Sequence, residues 1–503
     1  MLSTTHATFF IVGFILYVLA MILIGTFASK GKSSGTNYMT GGGSFPLFLI
    51  FATMAATLIG TGSAIGATSN GFKAGFYGSA YGLGAAIGLI VLWAITKDKD
   101  LHGKGFITMA EEAQFYYNGD RHIKAIMGIM MYVIEVVWLG NHINGGATYL
   151  AYVTGMPQIA ARLISVAGFG VYVIIGGLTA VIWTDLIQLI ILLGGFVTIL
   201  FISIPSAGGW STISQTLANA GKAGNLSFYG VQNVGWMALI TLILSIAVPC
   251  LGTPTYRMRL YFSKDKETGN KSLLLSALLL FGFSFIPAII GMAAFTIATN
   301  TGAQTVLDNP DFAFTYIATV ALGPVLGLVF MIAGLSATMS SGDSDAIAAV
   351  TIFIEDVYPL FTGKKLEEKK VGKVSRIMTV VSLALAFFAT LFAKDVMSYI
   401  SNVIGSIIPG VSVAMFMGAK WKKATWQGGM ASVISGIVFG VLYLGVAPFS
   451  NFIKGVFAGP IIPGTVIAIL FGVIFSLCTK NEILSDEERM QQVLASRGST
   501  ENN

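Results

Sequence analysis

Long apolar runs separated by short polar segments dominate this 503-residue chain. A helix needs about 20 mostly apolar residues to cross the hydrocarbon core of a bilayer, and thirteen runs meet that length. The ninth run is long enough to break or tilt. The pattern predicts an all-α membrane protein with thirteen transmembrane helices. The predicted spans are residues 8–28, 46–70, 77–96, 125–152, 159–177, 180–204, 236–261, 272–298, 314–353, 375–393, 396–418, 426–447 and 460–479.

The basic residues orient these spans. Cytoplasmic loops of membrane proteins carry an excess of Lys and Arg. With the N-terminus outside, 24 of the 29 Lys and Arg residues fall on the inner side and five on the outer side. The asymmetry predicts that the N-terminus lies outside and the C-terminus inside.

The composition agrees with a lipid environment. Hydrophobic residues make up 55% of the chain and the mean hydropathy is +0.79. Only 10% of the residues are charged, against about 25% in a soluble domain. These values exclude a disordered chain, a nucleic-acid-binding module and an ordinary soluble enzyme.

Two of the predicted spans are interrupted by glycine and proline. The second contains LIGTGSAIG and the seventh contains VPCLGTP. Carbonyls freed at such interruptions are tolerated at membrane depth only beside protein or a water-filled cavity. Because these spans lie five apart, a repeat of five helices would be inverted, as in many secondary transporters. We predict inverted repeats over spans 2–6 and 7–11 (about residues 46–204 and 236–418), unwound near residues 58–63 and 249–254; the alternative is a chance pair of kinks.

The densest polar cluster inside a span is SATMSSGDSDA, residues 336–346. Helical spacing places Ala337, Ser340, Ser341 and Ser344 on one face, with Asp343 in the same turn. Hydroxyl and carboxylate oxygens are ligands for a small hard cation. Alternatively, each serine hydroxyl bonds back to its own helix in a tight interface. The neighbouring acids favour the cation site.

Two further acids lie within predicted spans, where charges are costly and usually functional. Asp185 follows Thr184 at the start of a helical run, so it is either a helix cap or a partner of the 336–346 cluster. Glu135, one turn before Trp138, is either a solute or proton contact or a structural acid. His142 is expected to be a wetted side chain near the outer surface.

Several motifs, in this order, resemble those of the sodium:solute symporter family between about residues 40 and 420. GGGSFPLFLI resembles the start of the family's second span, and AATLIGTG its discontinuous helix. WTDLIQ matches a common Thr-Asp turn, and MSSGDSDAIAAVTIFIEDVYP resembles the Ser-rich ninth span. The resemblance implies the leucine-transporter-type fold, with ten core helices and additional peripheral helices. It also implies sodium-coupled symport of a small organic solute by alternating access.

The resemblance implies ion positions as well. The principal sodium site would use the carbonyls of Ala56, Ile59 and Ala337 and the hydroxyls of Ser340 and Ser341. A second sodium site, present in some family members, would match Asp185, Ser340, Asp343 and Ser344. We expect the Asp185 and Asp343 carboxylates to share one pocket, with Ser340 and Ser344 between them. Sodium would be the coupling ion, and no organic cofactor is expected.

The family resemblance does not identify the transported solute. Positions that bind sugar in the glucose branch read Leu58, Ser63 and Gly82 here, which argues against a sugar. GKGFITM and the pair Glu135–Trp138 look closer to the choline-transporter branch, but Leu58 and Thr253 replace two of its cage tryptophans. A smaller amine or a zwitterion is the remaining suggestion. The candidate solute residues are Leu58, Ser63, Glu135, Trp138 and Thr253.

Other classes of function find less support. No two of the four histidines are paired at metal-ligand spacing and there is no P-loop, so neither an enzyme nor an ATP-driven pump is expected. A proton-coupled transporter, a channel or a solute sensor on the same scaffold stays open, as does the oligomeric state. We expect one transporter domain over residues 1–480 and a polar, weakly ordered cytoplasmic tail over residues 481–503. The implied location is the plasma membrane, as a multi-pass protein of a prokaryotic inner membrane, with lipid and a small solute as partners and no nucleic acid.

Overall fold

The computed structural model describes residues 4–29, 37–391, 394–480 and 484–497. Several parts of the sequence predictions lie outside these residues: Lys30 and Lys32 of the charge pattern, residues 392–393 of the tenth span, and residues 481–483 and 498–503 of the tail. The described chain is helical throughout, apart from loops and one isolated parallel bridge between Phe45 and Ser263.

Nineteen helices of eight or more residues form the described fold. They are α1 Thr4–Ala28, α2 Leu47–Leu58, α3 Ala67–Ala74, α4 Ala80–Thr96, α5 Met109–Tyr116, α6 Arg121–Thr154, α7 Gln158–Ser206, α8 Gly209–Asn219, α9 Trp236–Ala247, α10 Pro254–Tyr261, α11 Lys266–Phe283, α12 Phe285–Thr301, α13 Ala313–Ile352, α14 Glu368–Thr390, α15 Pro409–Lys420, α16 Trp426–Gly445, α17 Ala447–Phe457, α18 Ile461–Cys478 and α19 Asp486–Ala495. Shorter turns are Asn37–Thr40, Gly62–Gly66, Gly75–Ser79, Ala223–Leu226, Phe228–Gly230, Val231–Val234, Pro249–Gly252, Gln304–Asp308, Pro310–Phe312, Phe353–Val357, Tyr358–Thr362, Val396–Ser398, Tyr399–Ile404 and Gly405–Ile407.

Most of these helices are apolar enough to lie in a bilayer. Nine helical stretches of the described chain are long and apolar enough to cross it, or eleven if each of two bent pairs is one span. The bent pairs are Trp236–Gly252 with Pro254–Tyr261, at 45°, and Val396–Ile407 with Pro409–Lys420, at 51°. Leu47–Leu58 and Gln158–Gly168 are shorter apolar helices. The chain is therefore an all-α, multi-pass membrane protein.

Both interruptions predicted from glycine and proline are confirmed. After α2, Ile59 leaves the helical conformation (φ −85°, ψ 59°), and the π-helical turn Gly62–Gly66 leads into α3. After α9 and the turn Pro249–Gly252, Thr253 is extended (φ −93°, ψ 116°) before α10 begins. Each break leaves backbone groups without partners in their own helix.

Glycine also divides two of the longest helices. Gly177 (φ +62°) breaks α7 close to the predicted boundary between the fifth and sixth spans. Gly323 (φ +67°) breaks α13, which confirms that the ninth predicted segment is not one straight helix. Other residues pay a steric penalty at positive φ, so glycine is the residue that can reverse the chain here.

The interrupted helices lie in the middle of the bundle. Gly71 in α3 and Gly78 in the turn that follows it both pack against Ala288 of α12. The chain then returns along α11, because Gly82 meets Ser284 and the Lys97 carbonyl accepts a hydrogen bond from Asn270. α13 packs against α2, α6 and α7 at the centre, whereas α16 and α18 pack together on the outside.

The C-terminal segment is more ordered than its polar sequence suggests. Ser485 caps α19 in a reciprocal arrangement with Glu488, and the helix packs on α5. Arg497 donates from Nε and Nη2 to the two carboxylate oxygens of buried Glu111, at 2.7 and 2.8 Å. The expectation of a weakly ordered tail is therefore wrong for residues 484–497.

Candidate ion and solute site

The end of α2 meets the serine pair of α13. The Ser340 hydroxyl lies 3.0 Å from the Ala56 carbonyl oxygen and 3.3 Å from that of Ala337. The Ser341 hydroxyl lies 2.8 Å from the Thr57 carbonyl oxygen, 3.2 Å from that of Ala337 and 3.5 Å from that of Ala56. All five residues are buried. Three carbonyl and two hydroxyl oxygens from two helices thus form one connected cluster, which we call the serine site (Ala56, Thr57, Ala337, Ser340, Ser341).

The break after α2 makes this close approach feasible. Gly60 faces α13, and a Cβ added there would lie 2.4 Å from the Ser341 hydroxyl oxygen. The Thr57 carbonyl, not that of Ile59, accepts from Ser341; the Ile59 N–H instead bonds to Ala55 within α2. Carbonyl and hydroxyl oxygens without a nitrogen or sulfur donor are the ligand chemistry of a hard cation. The serine site therefore fits sodium chemically, with Thr57 added to the expected ligands.

Both interpretations of the serines describe part of their surroundings. Each hydroxyl lies near the Ala337 carbonyl of its own helix, as a packing serine would. However, the shortest contact of each goes across to α2. The serines therefore join two helices at the interruption of one of them.

A second group of polar side chains lies next to the serine site, one turn before Thr57 on α2 and one turn after Ser340 on α13. The Thr53 hydroxyl donates to Oδ2 of Asp185 at 2.5 Å, and the Ser344 hydroxyl lies 3.4 Å from the same oxygen. Asp185 is fully buried within α7, so it is not a helix cap. Asp343 is also buried, and its carboxylate accepts the Ser344 N–H at 2.8 Å. Asp185 thus reaches the 336–346 cluster through Ser344.

This second group also contains a cationic side chain. Nη2 of Arg259, from α10, lies 2.5 Å from the Ser344 hydroxyl, 3.2 Å from that of Thr53 and 3.3 Å from that of Thr57. The same nitrogen is 4.0 Å from Oδ2 of Asp185. We call these residues the arginine pocket (Thr53, Thr57, Asp185, Arg259, Ser344).

A third set of contacts links the two helix breaks. The Thr255 N–H and hydroxyl donate to the two carboxylate oxygens of Glu135, at 2.8 and 2.7 Å. The Thr255 hydroxyl is also 3.3 Å from Oδ1 of Asp345. Oδ2 of Asp345 is 3.2 Å from Nε2 of His142, whose Nδ1 is 3.0 Å from the Thr61 hydroxyl. This acidic chain (Thr61, His142, Asp345, Thr255, Glu135) runs from the α2 break to the α10 end of the other break.

The structure corrects the expectation for His142. Only 5% of its surface is exposed, and it packs against Trp138, whose indole N–H donates to the Thr253 hydroxyl at 3.3 Å. Trp138 and His142 are one turn apart on the same face of α6. This face therefore contacts both breaks, through Thr253 and Thr61. His142 is therefore part of the buried polar centre.

The remaining candidates have different surroundings. Ser63 donates to the carbonyls of Leu58 and Gly60, each at 3.1 Å, so it satisfies backbone groups freed by the break. Leu58 is 4% exposed and packs in the core. These two residues shape the interruption rather than present polar atoms to a cavity.

Sequence reasoning missed Arg259, Asp345, Thr53, Thr57 and Thr255 as site residues. Arg259 has only its position near the inner end of the seventh span as a signal. Asp345 lies in the Ser-rich cluster, but helical spacing could not show that it faces α6 and α10 rather than α2. The threonines look like ordinary residues of apolar helices.

Known proteins resemble this chain over most of its length. The profile of the sodium:solute symporter family matches residues 38–436. The sodium/glucose cotransporter of Vibrio parahaemolyticus is 26% identical, over 87% of this chain and 85% of its own length. The sodium/pantothenate symporter of Haemophilus influenzae is 25% identical, over 84% and 88%. A solved structure of a Na⁺-coupled sialic acid symporter superposes with a TM-score of 0.75 at 18% identity, over 94% of this chain and 98% of its own.

A bundle of apolar helices with paired breaks and a buried oxygen cluster defines a secondary transporter. The chain belongs to the sodium:solute symporter family. It is accordingly a sodium-coupled symporter of a small organic solute and a multi-pass protein of the plasma membrane.

Proposed function

We propose that the transported solute is a small organic amine or zwitterion, bound where α6, α13 and the α9–α10 break meet. The observation that carries this proposal is the pair of buried carboxylates, Glu135 and Asp345, that share the Thr255 hydroxyl. Ionised carboxylates only accept hydrogen bonds, so they suit an ammonium group. The Trp138 ring beside them adds an aromatic face that favours a cation.

The acidic chain would couple solute binding to the conformation of the two interrupted helices. An ammonium group bound between Glu135 and Asp345 would compete for the bonds that these acids make to Thr255. Those bonds hold the start of α10, and Asp345 also contacts His142, which bonds to Thr61 at the other break. Solute binding would therefore change the contacts of both interrupted helices.

We further propose that the coupling sodium binds at the serine site. The support is the convergence of three carbonyls and two hydroxyls at the α2 break. The relatives named above are sodium symporters for glucose and pantothenate, so they share the ion and differ in the solute. Sodium would draw the Ser340 and Ser341 hydroxyls and the α2 carbonyls together, which links ion binding to the same break that contacts the acidic chain.

We also propose thirteen spans with the N-terminus outside. The nine long stretches, the two bent pairs and the two shorter apolar helices each coincide with predicted spans, and the reversal after α3 separates the second span from the third. The 24-to-five distribution of basic residues favours this orientation.

Proton coupling is a second candidate, and one contact favours it. Asp345 lies between Glu135 and His142, and two close carboxylates in a low-dielectric setting bind a proton or a cation between them. A proton bound there would replace sodium as the coupling ion while leaving the fold unchanged.

Uptake by the full-length protein in proteoliposomes tests the proposal. We expect uptake of labelled amines or zwitterions to require an inward sodium gradient, to persist with a collapsed pH gradient and to fall at least tenfold in Glu135→Gln. Glu367→Gln, an exposed acid paired with Lys370, is the matched control and should keep wild-type uptake. Uptake driven by a proton gradient alone would favour the second candidate, and preference for sugars or carboxylates would overturn the proposed solute class.

A further inference from the structure

The arginine pocket has the composition of a cation site that is already filled. One nitrogen, Nη2 of Arg259, is surrounded by three hydroxyl oxygens and one carboxylate oxygen, at 2.5 to 4.0 Å. These oxygen atoms come from α2, α7 and α13. Hydroxyl and carboxylate oxygens are the ligands that would otherwise suit a small metal cation.

The charge of the guanidinium fits this position. Arginine stays protonated in proteins, and Arg259 is 3% exposed. A buried carboxylate such as Asp185 needs a nearby positive charge or a proton, and Arg259 supplies the charge from the chain itself. A sodium ion entering the same oxygens would have to sit beside a fixed positive charge.

We propose that Arg259 is the resident cation of this pocket, so that the protein binds a single sodium ion, at the serine site, and none at Asp185. The sequence pattern around Asp185, Ser340, Asp343 and Ser344 had suggested a second sodium site, but Arg259 donates to the Ser344 hydroxyl and places its charge 4.0 Å from Oδ2 of Asp185. The one-sodium part of this inference rests on the proposed serine site; the occupation of the pocket does not.

Arg259 also connects the two interrupted helices. Thr57 contributes its hydroxyl to the arginine pocket and its carbonyl to the serine site. Arg259 itself belongs to α10, directly after the second break. The guanidinium therefore ties α10 to α2 beside the sodium ligands, without the binding step that a second ion would need.

Sodium stoichiometry provides the test, with ²²Na⁺ alone as the probe. Binding to purified full-length protein would be measured by scintillation proximity, and folding would be checked by size-exclusion chromatography. We expect one sodium per wild-type protein and two in Arg259→Gln, because removing the guanidinium leaves the Asp185 carboxylate and three hydroxyls. Arg259→Lys should stay at one, and adding Asp185→Asn to Arg259→Gln should remove the gained ion.

The outcomes separate this inference from the proposed serine site. A wild-type protein that binds two sodium ions and loses one in Asp185→Asn would overturn the role of Arg259, and this comparison does not need Arg259→Gln to fold. A folded Arg259→Gln protein with no gain over wild type would overturn it as well. A wild-type protein that binds no sodium would contradict the serine site alone, because the gain in Arg259→Gln is measured against that baseline.

Discussion

Ser341 touches the carbonyls of both helices that form the serine site, so it is the side chain on which sodium binding should depend most. Its hydroxyl contacts Thr57, Ala56 and Ala337. Loss of a hydrogen-bond partner of a charged group costs about 1.5–3 kcal/mol, which corresponds to roughly a 10–100-fold change in affinity.

We therefore predict that Ser341→Ala raises the sodium concentration for half-maximal uptake by about 10–100-fold. The protein should remain folded, because the change removes one oxygen from a packed helix. Ser214→Ala is the matched control, since the Ser214 hydroxyl bonds only to its own helix at Trp210 in the described structure. Sodium dependence that is equal in the two variants would contradict the serine site.

Gly60 tests the same contact from the side of α2. A Cβ at this position would lie 2.4 Å from the Ser341 oxygen and 2.9 Å from Cε1 of His142. Overpacking of this kind costs about 1–3 kcal/mol. Gly60→Ala should therefore lower the melting temperature in detergent and weaken the stabilisation that added sodium provides.

Gly282→Ala is the control for that change, because a Cβ on Gly282 meets nothing within 4 Å. It should keep or slightly raise the melting temperature, since alanine is the better helix former. If Gly60→Ala retained both the wild-type melting temperature and the full sodium-induced shift, α2 and α13 could not approach as closely as the structure shows.

At the scale of elements, the helices and their breaks could be predicted because their causes are local. Apolar runs define helices in lipid, and Gly60, Pro249 and Pro254 lie within a few residues of the breaks they produce. The partners of the polar side chains could not be predicted in the same way. Arg259 meets Thr53 and Ser344, which are 206 and 85 residues away, and only the packing of three helices brings them together.

His142 illustrates the same limit. Its sequence position near the outer end of a span suggested water, whereas the fold covers it with Thr61, Trp138 and Asp345. Conversely, the serine pair could be found from sequence because helical spacing places Ser340 and Ser341 on the same face as Ala337 and Ser344. Which carbonyl they meet, that of Thr57 rather than Ile59, depends on the exact path of the chain after α2.

The C-terminal helix α19 gives a prediction at this scale. Arg497 makes a two-bond contact to Glu111, which is fully buried; the nearest other cation, Lys124, is 3.9 Å from the same carboxylate. Removing one partner of a fully buried ion pair costs about 3–5 kcal/mol, and the cost here is smaller because Arg497 is partly exposed and Lys124 remains near Glu111. Arg497→Ala should therefore undock α19 and speed tryptic cleavage at Arg489 in inside-out vesicles.

Lys370→Ala is the control, because its ion pair with Glu367 is exposed and such pairs contribute little. Its rate of cleavage at Arg489 should match that of the wild type, whereas the tryptic site at position 370 itself is lost. Equal cleavage rates at Arg489 in wild type and Arg497→Ala would show that the Glu111 contact does not hold the tail helix.

At the scale of the whole molecule, the three polar groups form one connected centre. Thr57 joins the serine site to the arginine pocket, and Thr255 joins α10 to the acidic chain. Arg259 and Thr255 lie on the same helix, and the Arg259 Nη1 donates to the Thr255 carbonyl at 3.1 Å. The serine site, the arginine pocket and the acidic chain are therefore connected through α2 and α10, the two helices that begin or end at a break.

The orientation of this centre in the membrane leads to the last prediction. Nine, eleven and thirteen spans are all odd numbers, so the positions of the two termini cannot distinguish them; loop positions can. With thirteen spans and the N-terminus outside, the loops at Gln215 and Lys454 face outward, and those at Lys369 and Lys423 face the cytoplasm. All four side chains are exposed.

Single cysteines at these positions, with Cys250 and Cys478 replaced by alanine, would be labelled in right-side-out vesicles with a membrane-impermeant maleimide. We expect labelling at 215 and 454 only, and at all four positions after permeabilisation. Labelling at 369 or 423 before permeabilisation would contradict the proposed thirteen-span order, in which the inner excess of Lys and Arg places these two loops on the cytoplasmic side.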